Sequence, residues 1–324
     1  MSARHAALLA ALSAIWGGSY LLIKYALDGF SAATIVSLRC LLASGVLFIA
    51  LKATGGAGTA LKDMRERPKW ALILATVGVT APFLLITFGE HVVPSGLTAV
   101  LISPASLFVA LFAPMIDPSE RINRRQGFGM GLGLLGVAMV VGVESVSTTG
   151  EFLGALAMIG AAAFYGLVTF IVKGRYGHLQ PMQSSFISVT IAGLTTLPIA
   201  IATQPGHTPT AGSIAALVTL GVLGTALAFV IYYKLITEIG AGRAALVSYL
   251  APGVALFYGA VFRDEAITVA ALAGLVLILG GVYIASRRVA SARSGPDAVT
   301  GRAGVPRLGA ALDRGEPSGA RAEL

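Results

Sequence analysis

Long apolar runs separated by short polar connections follow one another from residue 6 to residue 286. A helix needs about 20 apolar residues to cross the hydrocarbon layer of a bilayer. Segments of that kind lie at roughly 6–27, 32–51, 70–89, 95–116, 126–143, 152–173, 182–203, 213–235, 241–262 and 267–286. The runs do not alternate apolar and polar positions, as the strands of a closed barrel do. Helix is then the state that satisfies every backbone polar group in lipid. The expected fold class is an all-α membrane protein with ten transmembrane helices.

The pattern also repeats. Residues 228–288 hold two apolar runs, with Pro252 inside the first, a charged turn Arg263-Asp264-Glu265 between them, and a Gly280-Gly281 pair near the end of the second. A weaker copy precedes it. Glu90 matches Glu238, Pro104 matches Pro252, Glu120 matches Glu265, and Gly136-Val137 matches Gly281-Val282. The starts of the halves match too, Trp16-Gly17 with Tyr165-Gly166 and Lys24 with Lys173. Five spans per half is an odd number, so the second copy enters the membrane upside down. Residues 5–144 and 151–288 are therefore expected to form two inverted five-helix repeats. Many secondary transporters are built this way, with the substrate site at the repeat interface.

Basic residues orient the chain. With the amino terminus inside, the inner connections carry Arg4, then Lys52 to Lys69, Arg121 to Arg125, Lys173 and Arg175, Lys234 and Arg243, and the tail; the outer connections carry only Arg263. Both termini are then cytoplasmic, in a multi-pass cell membrane protein of the bacterial inner-membrane type. The opening run is too long for a signal-peptide core of about 7–15 residues and reads as an uncleaved first span. Residues 289–324, rich in Gly, Ala, Arg and Pro and without aromatics, read as a disordered cytoplasmic tail.

Composition agrees. The chain is 56% hydrophobic and 12% charged, against about 25% charged in soluble domains. The net charge of +8 sits in short loops and in the tail, where seven of the 23 basic residues follow Val282. No basic face with interleaved aromatics exists, so nucleic acid is excluded as a partner. The lone Cys40 forms no internal disulfide.

Few residues carry chemistry. Pro104 and Pro252 fall near mid-depth, where each removes a backbone donor and frees the carbonyl four residues back, that of Val100 and of Ser248. They are candidate hinges facing a central cavity. Arg39 sits about 12 Å into the second span, where it either meets a substrate carboxylate or locks helices together; Glu90 is its expected acidic partner. Trp16, Tyr20 and Lys24 share one helix face. With Tyr165, Trp16 and Tyr20 would line an amphipathic cavity suited to amino acids or similar metabolites. Ser103, Ser248 and Tyr249, next to the two prolines, join that cavity. Glu90 and His91 are the candidate pair for proton coupling. His178 and His207 read as solvated loop residues, and Tyr232 and Tyr233 as interfacial. Gly131, Gly133 and Gly136 match a dinucleotide fingerprint by letter, but they lie inside an apolar span and read as close helix contacts. The glycine-rich fifth span also offers an outward face for a homodimer. No metal-ligand spacing and no cofactor motif is present, and the deep parts of the spans hold no acidic cluster for an enzyme.

Several segments resemble the EamA family of the drug/metabolite transporters. AIWGGSYLLIKYAL resembles its first span, LRCLLASGVL its second, FGEHVVPSGLTAVLISPASLFVALFAP its third-to-fourth junction, and residues 228–288 the end of its second repeat. The connection MIDPSERINRRQ is longer than the family's tight turn, though Glu120-Arg121 keeps part of it. The resemblance implies metabolite transport, usually export, with small molecules and the bilayer as partners. A receptor or assembly subunit without transport, or an intramembrane enzyme, are the competing classes.

Overall fold

The computed structural model describes residues 2–116, 122–143 and 148–286. The candidate turn at Glu120-Arg121 and the tail 289–324 lie outside the described residues. Among the described residues seven helices are long and apolar enough to cross a membrane. They are α1 (Ala3–Leu27), α2 (Ala32–Ala53), α3 (Pro68–Gly89), α4 (Ser95–Ile116), α6 (Thr149–Arg175), α7 (Pro181–Ala202) and α8 (Ala211–Ile239). Between α4 and α6 runs α5 (Arg124–Val143), 20 residues with two arginines at its start. Two shorter apolar helices follow, α9 (Val247–Arg263) and α10 (Val269–Ser286). An amphipathic surface helix, Ala57–Glu66, joins α2 to α3.

Local chemistry sets several boundaries. Ser31 and Thr210 accept N–H bonds from Thr34 and Ser213 in the first turns of α2 and α8. Thr148 and Glu151 form a reciprocal capping box on α6. Gly240 ends α8 at φ 84° and Asp264 ends α9 in the left-handed region at φ 52°, as chain reversals after helices require.

The membrane helices are not regular. The expected kink at Pro104 is a full break: helix stops at Ile102 and resumes at Ala105. The carbonyl of Val100, which Pro104 leaves without its usual donor, accepts the Ser103 N–H at 3.2 Å and the Ser103 hydroxyl at 2.7 Å. In the second half the break falls earlier, at Ala245–Leu246, and Pro252 lies within α9. Two π-helical stretches interrupt α3 at Thr76–Thr80 and α8 at Leu220–Leu227. The first precedes Pro82, whose missing N–H the wider turn accommodates. The second has no proline but holds Gly221, Gly224 and Ala226. Such bulges concentrate at functional sites.

Helix α1 packs on α8 and α9, and α6 packs on α3 and α4. Helix α2 packs on α7, and α5 on α10. The two segments of α4 share α6 but differ in their main partner: Ser95–Ile102 lies chiefly on α9, whereas Ala105–Ile116 lies chiefly on α6. Two of the α5 glycines face α10. A Cβ on Gly136 would stand 2.7 Å from the Gly274 carbonyl oxygen, and one on Gly129 would stand 2.7 Å from that of Gly281. These small residues bring two backbones of one chain together, while Gly131 of the same helix faces open space.

Polar contacts mark the two ends of the bundle. At one end Arg263 on α9 lies 3.4 Å from Asp28, and the Tyr25 hydroxyl donates to the Phe262 carbonyl at 2.9 Å. At the other, Glu238 meets His5 at 3.1 Å and Arg4 at 3.6 Å. His178, expected to be a solvated loop residue, instead meets Asp63 of the surface helix at 2.7 Å.

Candidate functional site

Arg39 is the centre of the site. It comes from α2, a helix that packs on both α7 and α8, and its exposure is only 7%. Nε donates to the Thr225 hydroxyl at 3.0 Å, and the guanidinium carbon stands 3.9 Å above the Phe83 ring centre. A cation over an aromatic face in a dry setting is attracted by the ring quadrupole. Thr225 is in the π segment of α8 and donates in turn to the carbonyl of Leu220, five residues back. An ordinary α-turn would place that hydroxyl elsewhere. Gly221 makes the approach possible, because a Cβ there would stand 2.9 Å from Leu42 Cβ and 3.2 Å from the Arg39 carbonyl oxygen.

The expected pairing of Arg39 with Glu90 is not made. Among the described residues no carboxylate is within ion-pair distance of Arg39. The hydroxyls of Tyr20 and Tyr165 are within electrostatic reach of it, so α1 and α6 both contribute to its surroundings. A buried guanidinium held by one hydroxyl and one ring keeps donors for a further acceptor.

The other expected cavity residues separate. Tyr20, Tyr165 and Tyr249 pack against one apolar cluster. Trp16 instead joins the cluster of Leu12, Leu235 and Val247, and its ring centre lies 5.2 Å from that of Tyr232. The repeat-related aromatics Trp16 and Tyr165 therefore do not share one wall. Gly17 meets α9 at Ala251 and Val254, and Gly166 meets α4 at Phe108 and Val109. Ser103 is engaged with its own helix, and Ser248 is exposed. Tyr233 is paired with Ser185 of α7, which accounts for a residue expected at the interface.

Glu90 and His91, adjacent in sequence, have opposite environments. His91 is exposed. Glu90 is 0% exposed, and neither carboxylate oxygen has a hydrogen-bond partner among the described residues. It caps the end of α3, just past the membrane-spanning segment, because Gly89 beside it fits against Met158 and Gly154 of α6. Burial pushes its carboxyl well above the ordinary range; Lys24 acts against this, Glu265 with it, and Arg39 against it. Its repeat counterpart Glu238 is instead exposed and paired with Arg4 and His5.

A second acidic residue closes the same end. Glu265, between α9 and α10, accepts the Ser95 N–H at 2.9 Å, the Ser95 hydroxyl at 2.9 Å and the Gly96 N–H at 3.0 Å. A carboxylate at unpaired N–H groups of a helix start is favoured both by hydrogen bonding and by the helix dipole. Gly259 leaves room for this carboxylate, which a Cβ there would strike, and Gly96 lets α9 come close, since a Cβ would stand 2.9 Å from Leu256 Cα. A crevice of about 220 Å³ lies beside the clasp, lined by Leu97, Leu256, Glu265 and Thr268 among others. Thr225, Phe83 and Glu265 were not legible as site residues; the only signal for Thr225 was its place among Gly221, Gly224 and Ala226.

Comparison with known proteins adds identity to this geometry. The model of the EamA-like transporter family matches twice, over residues 4–142 and 152–287. An uncharacterized transporter of Archaeoglobus fulgidus is 27% identical over 285 residues, covering 86% of this chain and 98% of the relative. A probable terminal-alkyne amino-acid exporter of Streptantibioticus cattleyicolor is 29% identical, covering 86% and 92%. A probable amino-acid metabolite efflux pump of Salmonella typhimurium is 26% identical, covering 83% and 90%. A solved crystal structure with 18% identity superposes with a TM-score of 0.62 over 88% of this chain and 98% of that one. It shares the fold. The chain is a multi-pass membrane protein that belongs to the EamA-like transporter family.

Proposed function

We infer that this protein is a secondary transporter exporting small carboxylate-bearing metabolites, amino acids among them, by alternating access between two inverted five-helix repeats. The observation that carries the substrate class is Arg39: a buried cation with no carboxylate partner among the described residues. A planar guanidinium fixed at one edge presents its other N–H groups to a bidentate acceptor. Tyr20 and Tyr165 supply hydroxyls nearby. The names of the Streptantibioticus and Salmonella relatives support export of amino-acid-like solutes.

The inverted-repeat architecture draws support from four features. The family model matches each half. The helix neighbours correspond when α1–α5 are exchanged with α6–α10: α1 on α8 and α9 becomes α6 on α3 and α4, while α2 with α7 and α5 with α10 map onto themselves. The π segments fall in the corresponding helices α3 and α8. Gly17 and Gly166 serve α9 and α4 in turn. In this reading ten helices cross a bacterial inner membrane with both termini inside, and α4, broken at Pro104, and α9, which holds Pro252, bend around those prolines.

The test is flux in liposomes holding the purified chain. A labelled amino acid and its decarboxylated amine are compared across the unaltered protein, Arg39→Lys and Arg39→Gln. The reading requires movement of the carboxylate form, loss of most of it in Arg39→Gln, and partial retention in Arg39→Lys. Equal movement of acid and amine, or an unaffected Arg39→Gln, removes Arg39 as the carboxylate site. The absence of flux for every metabolite screened, in protein verified as folded, removes the transporter reading.

A further inference from the structure

We propose that Glu90 is a proton-binding site sealed behind the Glu265 clasp, and that its proton leaves only when that end of the bundle opens. The coupling to a transport cycle rests on the transporter reading above; the proton site and its seal do not.

Two geometric observations and one electrostatic influence converge. Glu90 has no exposure, and both of its oxygens lack a partner among the described residues. An ionised carboxylate with neither water nor donors is strongly disfavoured in a dry interior, whereas the neutral acid is tolerated. The repeat supplies an internal contrast, because Glu238 at the matching position is exposed and held by Arg4 and His5. The residue closing the end is itself a carboxylate, Glu265, whose field reaches Glu90 and further opposes a second negative charge.

The groups facing Glu90 are known from each side. The charges that act on it are those of Tyr20 and Lys24 on α1, Arg39 on α2 and Glu265 in the α9–α10 connection. From α6 come Gly154 and Met158 beside Gly89, with Glu151 of that helix occupied in its capping box. Ser95 on α4 is already engaged by Glu265. Lys24 and Arg39 favour the charged form, but neither is within ion-pair distance, and burial is the largest influence.

The step is a simple dissociation: the O–H bond of the Glu90 carboxyl breaks, its electron pair stays on the carboxylate, and the proton passes to water admitted at the opened end. The sign follows by linkage. In the closed form the carboxyl binds its proton up to a raised pH; in the opened form it returns towards the ordinary value of about 4.3. Between those limits the closed form holds more protons. Acid on this side therefore favours closure, rising pH favours opening, and each pH unit inside the window changes the ratio by up to tenfold.

Two readouts test this on the full chain in lipid nanodiscs, neither requiring a transported solute. First, infrared spectra at neutral pH should contain a protonated-carboxyl carbonyl band that is missing in Glu90→Gln. Second, a cysteine placed at Leu97 in a Cys40→Ala background should react with an impermeant maleimide faster as pH rises, relative to a cysteine at exposed Gly206. In Glu90→Gln this ratio should be slow and flat with pH, and in Glu265→Gln it should be fast throughout. An identical band in Glu90→Gln, or an unchanged pH dependence of labelling in that variant, overturns the proposal. If Glu90→Gln does not assemble, Glu90→Asp takes its place: the band must shift in frequency, and an unshifted band overturns the assignment. Flux failing while both readouts hold removes only the transporter reading.

Discussion

Arg39 and Thr225 meet across the repeats at 3.0 Å, and they meet because α8 is π-helical where Thr225 resides. The hydroxyl accepts from the guanidinium and donates to Leu220. It therefore fixes both the rotamer of the cation and the widened turn. Thr225→Val keeps the shape and removes the hydroxyl. It should weaken half-saturation about fivefold, the equivalent of about 1 kcal/mol for one hydrogen bond, with Thr225→Ser close to the unaltered protein. Solute counterflow in liposomes measures it, and equal half-saturation in the Val and Ser variants would contradict the role.

Pro104 is the break in α4, and the segments on either side have different main partners. Pro104→Ala restores an N–H that can reach Val100 and lets the helix run on, improving local helix energetics by up to about 3 kcal/mol. The protein should become more heat-stable and turn over more slowly. Unchanged turnover in Pro104→Ala and in the double variant with Pro252→Ala would remove the hinge role of both.

The α5–α10 seam discriminates between glycines on one helix. A Cβ on Gly136 would stand 2.7 Å from the Gly274 carbonyl oxygen, whereas a Cβ on Gly131 would enter open space. Gly136→Ala should cost about 1–3 kcal/mol through overpacking. Gly131→Ala should be neutral or stabilising by up to about 1 kcal/mol from helix propensity. Thermal unfolding in detergent, followed by size-exclusion recovery, ranks the pair; the reverse order would show that the seam is not close-packed.

How far all of this was legible depends on range. Apolar run length and basic loops are one-dimensional properties, so the helical class and the approximate span positions could be read directly. Repeats such as Trp16-Gly17 with Tyr165-Gly166 were visible for the same reason. Who meets whom was not. Charge alone points from Arg39 to Glu90 at the outer end of the third span, but the buried partners are a hydroxyl and a ring. The π segment Leu220–Leu227 has no proline to announce it. The glycines of α5 signal a close neighbour without naming it, and the neighbour proved to be α10. Adjacent residues can also point into opposite environments, as Glu90 and His91 do at a helix end.

The loop cluster around Asp63 carries the last prediction. His178 reaches Asp63 Oδ1 at 2.7 Å and Arg67 approaches the same oxygen at 3.7 Å, while Oδ2 has no partner. Asp63 is buried, so removing His178 leaves a desolvated carboxylate less satisfied. His178 is itself partly solvated, which screens the pair. His178→Ala should therefore lower stability by only about 1 kcal/mol. The double variant with Asp63→Asn should recover most of that loss, because the orphaned charge is then gone. Tyr176 stacks beside His178 with its ring centre 6.3 Å away, and its buried hydroxyl has no partner. Tyr176→Phe forfeits no hydrogen bond and should leave stability unchanged or slightly raised. Thermal midpoints of the three variants measured together check the cluster, and a large loss in Tyr176→Phe would show that its hydroxyl is bonded after all.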